Sequence, residues 1–245
     1  MCAVDNQGRR TTHAIRGFES SRRQPVRDVL RDSFLGQFPD DLVEQFIDES
    51  VLVDYPKGAI IYHATTEPYA ASLVVRGVVR TYITSADGRH LTLRYAHPGD
   101  IVGLVTLVGG PSLAHVQALS ECTLLVFKPG TIRLLDPDGT RIGWEVAQEM
   151  AHLIYELMDE VAVNAFGTMR QRVAHHLLRR AGPRGSAQPL LAPVSHQEIA
   201  DAVGSVRSVV SRTLKELRDE GLIEMSREGI RLCDPARLSL LARVW

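Results

Sequence analysis

Cysteine is nearly missing from this chain. Cys2, Cys122 and Cys233 are the only three in 245 residues, and no two have the spacing of paired metal ligands. That excludes a disulfide-stapled domain and a four-thiolate iron–sulfur centre, and it sets the expectation of a reducing, cytoplasmic compartment. Aromatic residues are also few, 6% of a chain that is 44% hydrophobic, the balance of a soluble globular protein. No apolar run approaches the roughly 20 residues that span a bilayer, and the N-terminus lacks the apolar stretch of an export signal. No membrane partner is expected. An excess of charge is lacking too: 28 basic and 29 acidic residues leave −1.

The near-zero charge hides a division. From Gly167 onward 13 Arg and Lys residues stand against 8 Asp and Glu, while the rest of the chain carries 15 against 21. A basic module of +5 joined to an acidic part of −6 suits a polyanion-binding domain attached to a sensor that does not touch the polyanion.

The basic module has a readable plan. Ser195 followed by Glu198 is a capping box, in which the hydroxyl and the carboxylate each satisfy a free N–H at a helix start. The short helix carries Ile199, Ala200 and Val203 on one face, and Gly204 supplies the turn that ends it. Ser205 is expected to cap a second helix, with Val206, Val210, Leu214 and Leu217 buried and Val209 and Thr213 beside them. Its opposite face shows Arg207, Ser208, Ser211, Arg212, Lys215 and Arg218. A helix buried on one side and lined with arginine and serine on the other suits the major groove of DNA. Leu222 and Ile223 begin a strand that Glu228-Gly229 turns back into Ile230, Arg231 and Leu232, so the unit reads as a winged helix-turn-helix. The competing reading is a small helical docking domain.

Upstream, residues 1–24 are polar and Arg-rich and are expected to form a flexible arm. Residues 25–136 hold two short helices, around Val26–Leu30 and Leu42–Ile47, followed by short apolar runs separated by Gly and Pro corners. Such runs describe a small barrel or jelly roll. Residues 137–166 read as one long helix, apolar on two sides. Ile142, Val146, Met150, Leu153, Leu157 and Val161 form the stripe expected to meet a second copy; Ala147, Ala151, Ile154 and Met158 make the other side. Residues 167–245 complete the basic module, giving an α+β chain with a β-roll, a long dimerisation helix and a C-terminal winged helix.

This order of parts resembles the Crp/Fnr family of bacterial transcription regulators over roughly residues 54–232. The resemblance is carried by Y-P-K-G-A-I-I-Y (55–62), P-G-D-I-V-G-L (98–104) and, most specifically, V-G-S-V-R-S-V-V-S-R-T-L-K-E-L-R-D-E-G-L-I (203–223). It implies a homodimer on a near-palindromic site in double-stranded DNA, with RNA polymerase as a further partner. Arg207 and Arg212 fall on the family's two arginine positions, with Ser211 beside the second, and Ser195 and Ser205 flank the same face. An arginine there can donate twice to guanine. Ser208 departs from the family, many members of which carry a glutamate that accepts from cytosine.

The sensor departs further. Members that bind cyclic AMP hold it with a Gly-Glu pair and an Arg-Ser pair; here those positions read Gly103-Leu104 and Ser112-Leu113. The residues expected to approach the base align with Leu157 and Met158. A phosphate diester needs a cation or oriented N–H groups, and backbone amides near Gly109 and Gly110 offer a cradle for an anion. No cofactor is therefore expected to be required, with a cyclic-AMP-responsive regulator using an atypical pocket as the alternative. A redox regulator acting through Cys122, or haem held by His90 and His97, are further alternatives. A cupin-like metalloenzyme would need clustered His and Glu. His63, His90, His97 and His115 show no H-x-H pair with a following glutamate, and no Ser-His-Asp or nucleotide-loop motif stands elsewhere, so no enzyme is expected.

Overall fold

The computed structural model describes residues 20–65, 70–88, 90–127, 143–181 and 190–244. They fall into two compact units, one of residues 1–81 and 96–154, the other of residues 82–95 and 155–245.

The first unit opens with helix α1 (Ser20–Arg31), a short 3-10 turn (Phe34–Gln37) and helix α2 (Asp40–Glu49). Val26 and Leu30 on α1, and Leu42, Phe46 and Ile47 on α2, recur at helical spacing and are buried. Helix α1 starts at Ser20, so the expected arm is shorter than 24 residues; the rest of it lies outside the described residues. The reason is a long-range pairing invisible to local pattern. Arg23 donates to Asp48 at 2.9 Å, and Arg27 grips Glu44 with two bonds of 2.9 and 2.8 Å. The Glu44 carboxyl is held below its usual range by its bond from Arg27.

Among the described residues eight strands follow: β1 (Val51–Tyr55), β2 (Ile60–Tyr62), β3 (Ala71–Arg76), β4 (Val79–Thr84), β5 (His90–Ala96), β6 (Ile101–Val102), β7 (His115–Ala118) and β8 (Cys122–Phe127). They form two four-stranded sheets, ordered β1-β8-β3-β6 and β2-β7-β4-β5. A short helix α3 (Leu104–Gly109) follows β6. Strands β3 and β8 pair antiparallel, Leu73 opposite Leu125 and Val74 opposite Leu124. Because successive side chains point to opposite faces, Leu73 and Leu125 pack towards α1 and α2, while Val74 and Leu124 join a second cluster with Val79, Val116 and Cys122. Both faces of these strands are thus spent on core, the packing of a β-roll. Cys122 is buried there, its thiol donating to the Val78 carbonyl at 3.3 Å.

The second unit is built on α5 (Met169–Ala181), α6 (His196–Ala202), α7 (Arg207–Asp219) and α8 (Pro235–Ala242), with a three-stranded sheet β10-β11-β9. Strand β10 (Ile223–Met225) pairs with β11 (Ile230–Leu232), and β11 with β9 (Leu191–Ala192). The expected wing thus carries a third strand. Val173, Leu177, Ile199, Val210, Leu214 and Leu217 meet in one core.

Behind that core lies a polar network within the same unit. Glu156 accepts from Arg94 at 2.7 Å and Arg179 at 3.2 Å, and His175 reaches Glu160 at 3.0 Å. His176 is buried beside the Tyr95 ring, 5.4 Å between centroids, with the Arg180 guanidinium 5.8 Å from the centre of the same ring. Burial pushes the His176 imidazole down to about 4; Glu160 opposes this, and Arg180 and His175 add to it. Between about pH 6.5 and 4 the unfolded chain therefore binds a proton at this residue that the folded chain refuses. Stability is full above the unfolded value and falls as pH drops, by about 1.4 kcal/mol per unit across that window. Urea unfolding at pH 7 and pH 5 should show this loss, and His176→Phe should remove about that much of the slope. An unchanged slope in the variant would refute the assignment.

Candidate nucleic-acid interface

Helix α6 begins on the capping box expected from sequence. Ser195 Oγ accepts from the Glu198 N–H at 3.2 Å, and the Ser195 N–H donates to the Glu198 carboxylate at 2.7 Å. The Ser195 hydroxyl is thereby engaged at the helix start. Gly204, at φ +64°, makes the turn that a side chain would strain. Ser205 does not cap the next helix: Val206 occupies the cap position without a side-chain bond, and the Ser205 N–H closes the turn on the Ala200 carbonyl at 2.9 Å.

From that turn α7 presents Arg207, Ser208, Arg212, Lys215 and Arg218 to solvent, while Val210, Thr213, Leu214 and Leu217 are buried. Arg212 is 85% exposed and pairs only loosely with Glu216, at 3.4 Å. An exposed pair of this kind is worth about 0–1 kcal/mol, so the guanidinium is easily surrendered to a better acceptor. Arg218 rests on Asp219 at 3.3 Å. Ser211 is half-buried, and its hydroxyl is 2.8 Å from His196 Nδ1, a bracing bond between α6 and α7 that sequence reasoning missed. Val206, expected on the buried face, is instead 61% exposed, and Val209, expected beside that face, is 42% exposed. Val206 precedes the first helical turn, so helical periodicity does not apply to it.

The long helix α4 (Gly143–Phe166) divides its apolar residues differently from the expected stripe. Val146, Met150 and Leu153 pack against the β-roll core, and Ile142 lies outside the described residues. Leu157 and Val161 remain exposed. The exposed positions form their own series at alternating spacings of three and four: Trp144, Ala147, Ala151, Ile154, Met158, Val161 and Ala165. This is a seven-residue repeat, the pattern of a helix that pairs with another helix. Sequence alone offers two stripes; the barrel takes one of them.

In the β-roll, Gly103 adopts φ +78°, and a Cβ there would lie 2.5 Å from the Ala70 carbonyl oxygen. Leu104 after it is buried in the core cluster with Phe46 and Leu73. Ser112 Oγ accepts from the Ala114 N–H at 3.1 Å, and Leu113 is exposed. In the second unit, Leu157 and Met158 are both exposed. His90 stacks on Tyr82 at 4.6 Å, and the His97 N–H donates to Asp100 at 2.7 Å. Among the described residues no three His, Cys, Asp or Glu side chains converge on a possible metal position.

A β-roll, a long helix and a winged helix-turn-helix with a basic reading face are the parts of a sensor-coupled DNA-binding regulator. Comparison with known proteins agrees: residues 52–135 match the cyclic nucleotide-binding domain, and residues 171–241 match the Crp-like helix-turn-helix domain. The chain is 34% identical over 165 residues to the transcriptional regulator LdrP of Thermus thermophilus, covering 66% of this chain and 82% of that protein. It is 27% identical over 189 residues to the cAMP-activated global transcriptional regulator CRP of Salmonella typhimurium, covering 75% and 90%. The solved structure of FixK2 from Bradyrhizobium japonicum shares the fold, with a TM-score of 0.71 at 24% identity over 80% of this chain and 98% of that one. The chain belongs to the Crp/Fnr family: it is a DNA-binding transcription regulator and not an enzyme. No helix among the described residues is long and apolar enough to cross a membrane.

Proposed function

We propose that this regulator binds near-palindromic DNA as a homodimer and does so without needing cyclic AMP. Residues 25–136 then act as the sensor, 137–166 as the dimerisation helix and 167–245 as the DNA-binding domain, with RNA polymerase as the partner recruited or blocked. The observation that carries the dimer is the seven-residue repeat on α4, in which every position from Trp144 to Ala165 is left exposed by the chain's own core. The basic face of α7, Arg207 and Arg212 foremost, supports the DNA contact.

Against a conventional nucleotide pocket stand Leu104, spent on the core where a carboxylate would be wanted, and Ser112, its hydroxyl accepting from the Ala114 N–H where a guanidinium would be wanted. The residues present do not fit cyclic AMP. Burial of Cys122 likewise speaks against a thiol switch there. Measured at one stated salt concentration, DNA affinity should change on adding cyclic AMP by less than the roughly fivefold floor of ordinary allosteric coupling. A low-micromolar dissociation constant by calorimetry, with strong cyclic-AMP dependence of DNA binding, would overturn this reading of the sensor.

A further inference from the structure

The start of α7, from the cap Val206 to Val210, carries two valines that the fold does not use. Val210 is fully buried in the core, whereas Val206 and Val209 are left open. Val206 is the cap and Val209 the third residue of the helix, positions that adjoin at a helix start as they do in a capping box. Arg207 lies on the opposite flank, and Ser208 and Arg212 lie between. An apolar patch bordered by exposed cations is poorly suited to an apolar protein partner, which would have to desolvate Arg207, Arg212 and Lys215. It suits a polyanion that presents one apolar group on an otherwise polar surface. The floor of the DNA major groove does this at thymine, whose C5-methyl projects beside hydrogen-bonding edges. The N-terminal residues of a recognition helix are those that reach base edges.

We infer that Val209, with Val206 beside it, reads the C5-methyl of one thymine in each half-site. This rests on the proposed DNA contact of α7 and adds a specificity-determining residue of apolar kind to the two arginines. Recognition works by removing methyl surface from water, so it discriminates thymine from uracil, which differ at that position by the methyl alone. The Thr213 hydroxyl donates to the Val209 carbonyl at 3.2 Å, a backbone contact that survives a change of the side chain.

The test uses the full-length protein and a site obtained by selection with the wild type. Thymines are replaced one at a time by deoxyuridine, and affinity is measured for the wild type, Val209→Ala and Val209→Thr. One position per half-site should cost the wild type about fourfold in affinity when its methyl is removed, the equivalent of one methyl group returned to water. Val209→Ala should bind the thymine and uracil sites equally, near the wild type's affinity for uracil. Val209→Thr keeps the branched shape and one methyl, and should fall between. If no thymine is sensitive in the wild type, or if the sensitivity persists undiminished in Val209→Ala, the inference fails while DNA binding by α7 stands. If the wild type selects no sequence at all, the reading of α7 fails with it.

Discussion

Arg212→Ala is expected to relax base preference at one position per half-site and to weaken the selected site by about 1–3 kcal/mol for each half, the value of one bidentate guanine contact. Arg207→Ala should do the same at a different position. Neither change should alter folding, because Arg212 is almost wholly exposed and its contact with Glu216 is long. Lys215 and Arg218 sit further along α7, where the proposed docking would bring them to the sugar–phosphate backbone rather than the groove floor. Their replacement should weaken all sequences about equally and flatten the salt dependence by roughly one counterion for each phosphate no longer neutralised. Sequence selection combined with a salt titration separates the two classes. An unchanged motif and affinity in Arg212→Ala would show that α7 is not the reading helix.

Ile154→Asp combined with Met158→Asp is expected to yield folded monomers that bind a full site poorly. Each dimer would give up four apolar side chains, worth about 1.5–3 kcal/mol apiece if fully buried, so the dissociation constant should rise on the order of 10⁴-fold or more. Sedimentation over a range of concentrations measures this directly. Leu153→Asp, one residue away, should behave differently. Leu153 packs on the β-roll core, and a carboxylate there should destabilise the first unit before it affects pairing. A wild type that is monomeric at micromolar concentration would refute the seam. A dimer also fixes the DNA geometry, since two recognition helices related by a two-fold axis call for half-sites about one helical turn apart, near 34 Å.

The winged helix is legible in the sequence because its signals are local. A capping box, a Gly turn and a run of apolar residues three and four apart lie close together in the chain, and each needs only its own neighbours. The β-roll is legible for a similar reason, through short apolar runs and Gly corners. What local pattern misses is set by distant partners. Helix α1 starts early because Arg23 meets Asp48, 25 residues away. Helix α4 carries two apolar stripes of similar quality, and only the packed β-roll decides which is left over. Helical spacing places Val206 in line with Val210, but Val206 is the cap and the helix starts one residue later. Ser211 looks free to meet a base, because His196, which holds it, stands 15 residues earlier.

The burial of Leu104 constrains what this position can hold. By the family resemblance, a glutamate at this position grips a nucleotide's ribose, where water and ligand can solvate it. Here the position is part of the barrel wall, closed in with Phe46 and Leu73. A leucine that the core has grown around is not exchanged for a carboxylate one step at a time, since the charge would arrive before any pocket existed to receive it. A carboxylate at this position would thus require the surrounding core to be rebuilt first.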